Sequence, residues 1–266
     1  MKQVINILIF GLAVLFFFAF LPAINRMNSP AQALTPPPVF HLNEIEDKIF
    51  DLTNKMRREY GVHELKLEDV LRDTARRHSD DMILRNFFSH NNPDGLSPED
   101  RICIEHRRLI GITGENIWYG SGYDPSGGNQ IAEMVMTDWM NSPGHRRNIL
   151  DPEFNHLGVG VSFKAPEIRV TQNFAAVFAY ITAPVPLKVK RGEKLNLDAT
   201  PVSSSVRKPT LFDFYMSKTD RAAGEAMSIS SAKTDAPPGV YKLRFYFPDE
   251  SGMSFMIYTG PQIEIE

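Results

Sequence analysis

Two histidines and one glutamate, far apart in the chain, carry the chemistry this sequence could do. His90 closes the run Phe87-Phe88-Ser89-His90, Glu115 sits in Gly114-Glu115-Asn116-Ile117, and His145 sits in Ser142-Pro143-Gly144-His145-Arg146. Two imidazoles and a carboxylate brought together are the minimum for a divalent-metal site or for acid–base chemistry. Ser142 is a suitable N-cap and Pro143 a suitable first helical residue, which places His145 in the opening turn of a short helix. The positive end of the helix disfavours protonation there, and a neutral imidazole can ligate a metal or accept a proton. His90 precedes the turn-rich Asn91-Asn92-Pro93-Asp94-Gly95 and is expected at a loop mouth, held by the two phenylalanines. Glu115, next to Ile117-Trp118-Tyr119, needs a partner if it is buried, and backbone amides would serve as well as an imidazole.

Other residues have blander readings. His78 falls on an apolar stripe with Leu71, Ala75 and Met82 and reads as a satisfied core histidine. His106 and His156 lack supporting context and are expected at the surface. The glycines from Gly120 to Gly128 lack the spacing and strand-to-helix setting of a nucleotide cradle, and read as a flexible rim near Glu115. No Gly-x-Ser-x-Gly elbow occurs, and His63-Glu64 lacks a second histidine at Leu67.

The elements that must position the site follow from periodicity. Asn43 with Glu46 suggests a capping box, and Ile45, Ile49, Leu52 and Met56 form a helical stripe ended by Gly61. Leu71 to Met82 makes a second helix. Ser97-Pro98-Glu99-Asp100 opens a third, with acids at its positive end, and Ile131, Val135 and Trp139 align on a fourth. Beyond Pro152 the period becomes two, through Val159, Val161 and Phe163, then Ile168, Val170, Gln172 and Phe174. Residues 40–183 therefore predict an α/β/α sandwich. Pro184-Val185-Pro186 marks a boundary. Short alternating strands such as Tyr241, Leu243, Phe245 and Phe247 after it predict a small immunoglobulin-like β-sandwich over 184–266.

The composition narrows the partners. Net charge is −3, with 16 Lys and Arg against 22 Asp and Glu over 34–183 and 11 against 10 over 184–266. Neither part has the basic face that phosphate backbones demand, which argues against nucleic acid. Lys2 precedes an apolar run from Ile7 to Ile24, and Ala31-Gln32-Ala33 offers a cleavage-type site. Residues 1–33 are expected to be a signal peptide or a retained membrane anchor, 34–41 a proline-rich linker, and the remainder exported. Cys103 is the single cysteine, so no intramolecular disulfide forms, and it is expected as a small buried hydrophobe.

The phrases FFSH, GENIWYG, W-x-x-SPGHRRNIL, HLGVGV and a late Thr171-Gln172 pair occur in one order. By this set residues 45–180 resemble the CAP superfamily of cysteine-rich secretory, antigen 5 and pathogenesis-related 1 proteins, in its bacterial secreted branch. The resemblance implies the family's sandwich over 42–183 and a central cleft that in animal and plant members holds two His and two Glu. His90 and Glu115 match one of each. Ser142 stands where the second Glu is expected and Arg169 where the second His is expected, so the family set is incomplete and His145 is expected to supply the second imidazole.

The reading that follows is an exported binding or effector module at the cell envelope. Its cleft would hold zinc through His90 and His145, with Glu115 as third ligand or as the group orienting an imidazole. Two rivals use the same fold: a metal-assisted, peptidase-like hydrolase with Glu115 as general base, and a module that binds lipid between helices. An envelope component or small ligand is the expected partner. A membrane is expected to be engaged only through an uncleaved N-terminal segment.

Overall fold

The computed structural model describes residues 41–266, and the export segment and most of the proline-rich linker lie outside them. Five helices occur among the described residues: α1 (Leu42–Glu59), α2 (Asp69–Leu84), α3 (Pro98–Glu105), α4 (Gly128–Asn141) and α5 (Pro143–Leu150). The strands of the first part are β1 (Lys66–Leu67), β2 (Leu109–Ser121), β3 (His156–Lys164) and β4 (Glu167–Ile181). β2, β3 and β4 pair antiparallel with β4 in the middle, and β1 adds to β3 in parallel.

Helices cover both faces of this sheet. Ile45 and Ile49 of α1 and Ile131, Val135 and Trp139 of α4 pack with Val159, Val161, Val170 and Phe174 on one face. Leu71 of α2 and Ile102 of α3 pack with Leu109, Ala175 and Val177 on the other. That is the α/β/α layering the stripes imply, and Cys103 is buried in it. The phrase Gly158-Val159-Gly160 has a steric cause. A Cβ at Gly158 would lie 2.1 Å from the Arg72 amide nitrogen, and one at Gly160 would lie 2.0 Å from that of Arg76. Only glycine lets the α2 backbone lie directly on β3, and Ser79 of α2 donates to the Gly160 carbonyl at 2.9 Å.

Helix starts follow the sequence unevenly. α3 opens as expected: the Asp100 amide donates to Ser97 Oγ and the Ser97 amide to Asp100, with Pro98 at the first position. α1 does not. It starts one residue before Asn43 without a side-chain cap, and Glu46 is buried instead, accepting from Arg76 of α2 at 2.6 Å and from the Val161 amide at 3.0 Å. A buried carboxylate that can take a guanidinium and a strand amide gains more there than at a solvated cap.

The C-terminal part carries β5 (Lys188–Val189), β6 (Ala199–Pro201), β7 (Leu211–Met216), β8 (Arg221–Ala222), β9 (Met227–Ser228), β10 (Gly239–Pro248) and β11 (Phe255–Ile265). The strand pairing does not confirm the separate immunoglobulin-like sandwich expected over 184–266. These strands extend the first sheet into one of eleven strands, eight of them in the order β1-β3-β4-β2-β11-β10-β7-β8, with β5 on β11, β6 on β4 and β9 on β7. β11 meets β2 at Thr259 and Gly111, and β6 pairs with β4. The prolines at 184 and 186 interrupt pairing only locally, while Ile110, Ala179 and Ile181 need the apolar cover that Phe212, Leu243 and Phe245 provide. Lys242, 4% exposed, lies 2.7 Å from both Glu99 and Asp100 in the first turn of α3.

Two outcomes follow for stability. Trp139 is buried and donates its indole N–H to the Ile117 carbonyl at 3.2 Å, so Trp139→Ala is expected to cost about 3–5 kcal/mol in a denaturant titration. An unchanged midpoint would make the indole a surface contact. A chain ending at Ala183 strips Ile110 and Ile181 of cover and is expected to lose its cooperative melting transition; a sharp transition near that of the full chain would show that residues up to 183 fold alone.

Candidate functional site

Glu115 is the centre of the site. It lies on β2 opposite Asn173 of β4, and its side chain is 1% exposed. Arg101 of α3 donates to Oε2 at 2.6 Å, and His90 Nδ1 lies 2.8 Å from Oε1. In the amide orientation that satisfies both of its ends, Asn173 donates to Oε2 at 3.1 Å and accepts from the Ala75 amide. A carboxylate withdrawn from water needs this much compensation. The sequence implied a partner, and the partners are a guanidinium and an imidazole rather than backbone amides.

The same guanidinium builds the loop. Arg101 Nη1 donates to the carbonyls of His90 at 2.7 Å and Leu96 at 3.0 Å. Asn92 Oδ1 accepts from the amides of Asp94 and Leu96, which folds Asn92–Leu96 into a tight turn with Gly95 at positive φ. His78 braces the loop from below, with Nε2 3.1 Å from the Ser89 carbonyl and 3.9 Å from Glu115 Oε1. It is the buried core histidine its stripe implies, but not a fully satisfied one, since Nδ1 has no hydrogen-bond partner among the described residues.

His90 is thereby presented to solvent in one orientation, its side chain 49% exposed. With Nδ1 against a carboxylate, the proton belongs on Nδ1 and Nε2 is left as an outward acceptor. His145 arrives from the other side on α5. Asn116 holds it by donating to its carbonyl at 3.2 Å, and Asn148 ties α5 to β2 by donating to the Glu115 carbonyl at 3.1 Å and to Asn116 Oδ1 at 2.9 Å. Ser142 occupies the N-cap position, yet its side chain caps nothing. Burial holds His145 below the ordinary histidine range, and the nearby His90 charge pushes the same way. An open groove of about 310 Å³ runs past His90 and Glu115, lined also by Ser97, Pro98, Glu99 and Thr113.

Both Glu115 oxygens are engaged, so of the two roles expected for it the geometry supports orienting His90 and not ligation. No group of three or more His, Cys, Asp or Glu placed to hold a metal ion occurs among the described residues. The expectation that His106 and His156 lie at the surface is corrected: both are buried, flanking Glu68 and Tyr180. Tyr180 donates to Glu68 at 2.8 Å, and that carboxylate is held down at about 2, chiefly by the His106 imidazole 3.4 Å away. Periodicity missed them because burial here comes from the ends of α3 and β3, where no apolar pattern marks it. Arg101 and Asn173 were also missed; the legible hint was a charged residue directly before the buried Ile102-Cys103 pair.

With this geometry in place, comparison with known proteins defines the class. Residues 50–174, a little under half of the chain, match the model of the cysteine-rich secretory protein family, CAP. Among curated proteins, 119 residues are 39% identical to the uncharacterized protein YkwD of Bacillus subtilis (strain 168), covering 43% of this chain and 41% of the relative. The uncharacterized membrane protein YlbC of the same organism is 36% identical over 129 residues, 48% of this chain and 34% of the relative. The chain thus spans less than half the length of these relatives. Among solved structures, an extracellular protein containing an SCP domain from Bacillus anthracis str. Ames is 32% identical, covers 53% of this chain and 45% of that one, and gives a TM-score of 0.44. A cysteine-rich secretory protein from Staphylococcus aureus is 19% identical over 53% of this chain and 41% of that one, with a TM-score of 0.42.

The brace under the loop has a pH signature. Burial drives the His78 value from 6.5 to about 4, against the opposing pull of Glu115. The folded state thus binds this proton less readily than the unfolded one. Stability is expected to fall as pH drops from 6.5 towards 4, by on the order of 3 kcal/mol, and not further through this group below 4. His78→Gln should flatten that limb in denaturant titrations at pH 7 and 4.5. A His78 imidazole titrating near 6.5 by NMR would sink the account.

Proposed function

We propose that the protein is an exported CAP-domain binding module whose cleft takes a divalent transition metal, most readily zinc, on His90 and His145. The observation that carries this reading is the 2.8 Å contact between His90 Nδ1 and Glu115. A carboxylate on one ring nitrogen fixes the tautomer and aims the other nitrogen outward, as carboxylate–histidine pairs do behind metal ligands. His145, held below the ordinary histidine range, is the second neutral imidazole. These residues fit a two-histidine site whose remaining positions fall to water or to a bound partner, and the metal would supply Lewis acidity there. The apolar run from Ile7 to Ile24 supports export, to the envelope or beyond it. Among the described residues no helix is long and apolar enough to cross a membrane.

The hydrolase reading loses its proposed base, because a buried Glu115 with both oxygens hydrogen-bonded is not free to take a proton from water. Binding therefore ranks above catalysis. The test is calorimetric titration of zinc into the parent, His90→Ala, His145→Ala and Glu115→Gln proteins. Either alanine variant is expected to lose zinc binding, and Glu115→Gln to weaken it roughly 10–100-fold, with circular dichroism unchanged for the two histidine variants. Equal zinc affinity in the parent and both histidine variants would overturn the site.

A further inference from the structure

Arg169 is a buried cation whose neighbours do not satisfy it. It lies on β4 opposite Tyr119 of β2 and is 4% exposed. Nη2 reaches Glu167 at 3.3 Å, while Nε and Nη1 are buried without any hydrogen-bond partner. The guanidinium packs 4.0 Å from the centre of the Tyr119 ring and 6.0 Å from that of Phe88. Ring faces attract a cation but accept poorly from N–H groups aimed elsewhere. Buried donors on a charged group are costly when left open, and in native proteins they generally have a reason.

The cover over this cation is thin. Phe88 and Tyr119 are 49% and 43% exposed, and their rings are 6.0 Å apart. Phe88 belongs to the loop that ends in His90. Tyr119 lies on the same face of β2 as Glu115, four residues along, roughly 13 Å away. A ligand that meets His90 can therefore extend along the strand to Arg169.

We propose that Arg169 is the anion-recognising residue of the cleft. Rotation of the two half-exposed rings opens Nε–H and Nη1–H to an oxyanion of the ligand, a carboxylate or a phosphate, whose adjoining part then packs on Phe88 and Tyr119. A charge-assisted hydrogen bond would satisfy donors that the fold leaves open. The inference requires no metal and stands whether or not the two histidines hold one.

The test follows the Arg169 side-chain Nε–H by 15N NMR in the full chain, assigned through Arg169→Lys. Inorganic phosphate, acetate and chloride are titrated at constant ionic strength. A saturable shift with phosphate alone points to a phosphate-bearing ligand, with acetate alone to a carboxylate-bearing one, and with both to oxyanions generally; chloride should do nothing. The same anion should raise the melting temperature of the parent and not that of Arg169→Met. No saturable shift with either oxyanion, or an equal one with chloride, would overturn the proposal, and this readout on the parent holds even if Arg169→Met fails to fold.

Discussion

The pairing of one buried carboxylate with one guanidinium organises the cleft. Glu115 sits inside the sheet layer, where an isolated charge would cost several kcal/mol, and Arg101 neutralises it at 2.6 Å. The other arm of Arg101 spans the carbonyls of His90 and Leu96. One side chain thus joins α3, the loop and β2. The desolvation cost that makes Glu115 dependent on Arg101 also makes the loop dependent on α3, and the outward aim of His90 follows from both. Truncating either charged partner would leave the other buried and unpaired, a larger loss than the pair's own net contribution.

Beneath this lies a packing constraint. Glycines at 158 and 160 allow α2 to rest backbone to backbone on β3, and this sets where His78 stands under the loop. α5 is placed by a different device, the amides of Asn116 and Asn148 bonded to each other and to backbone carbonyls. The two imidazoles therefore come from supports that share only β2. Their separation is fixed by polar contacts on one side and close packing on the other.

Much of this was legible. The stripes on α1, α2 and α4, the capping box of α3 and the period-two runs of β3 and β4 all encode which face is apolar, and periodicity reports that directly. β2 was not legible as a strand. Gly111, Gly114 and Gly120 interrupt its β-branched and aromatic residues, so Glu115 could be located in sequence but not on the sheet. His90, Glu115 and His145 were recognisable as a set because their flanking turn and cap residues mark local structure. Arg101 was not, because a long side chain that reaches from α3 to β2 leaves no trace in local spacing. The joining of the C-terminal strands to the first sheet was hidden for a similar reason: the pairing of Thr259 with Gly111, that of β6 with β4 and a buried Lys242 are long-range facts that no pattern within 184–266 contains.

That lysine has a mechanical implication. Lys242 grips Glu99 and Asp100, and Arg101 is the next residue of the same helical turn. The C-terminal strands and the carboxylate of the cleft thus hold the two ends of one short rigid lever. Force applied to β10, as by tethering the C-terminal part to a surface, reaches the Glu115 clamp through a single turn of α3 rather than through a hinge.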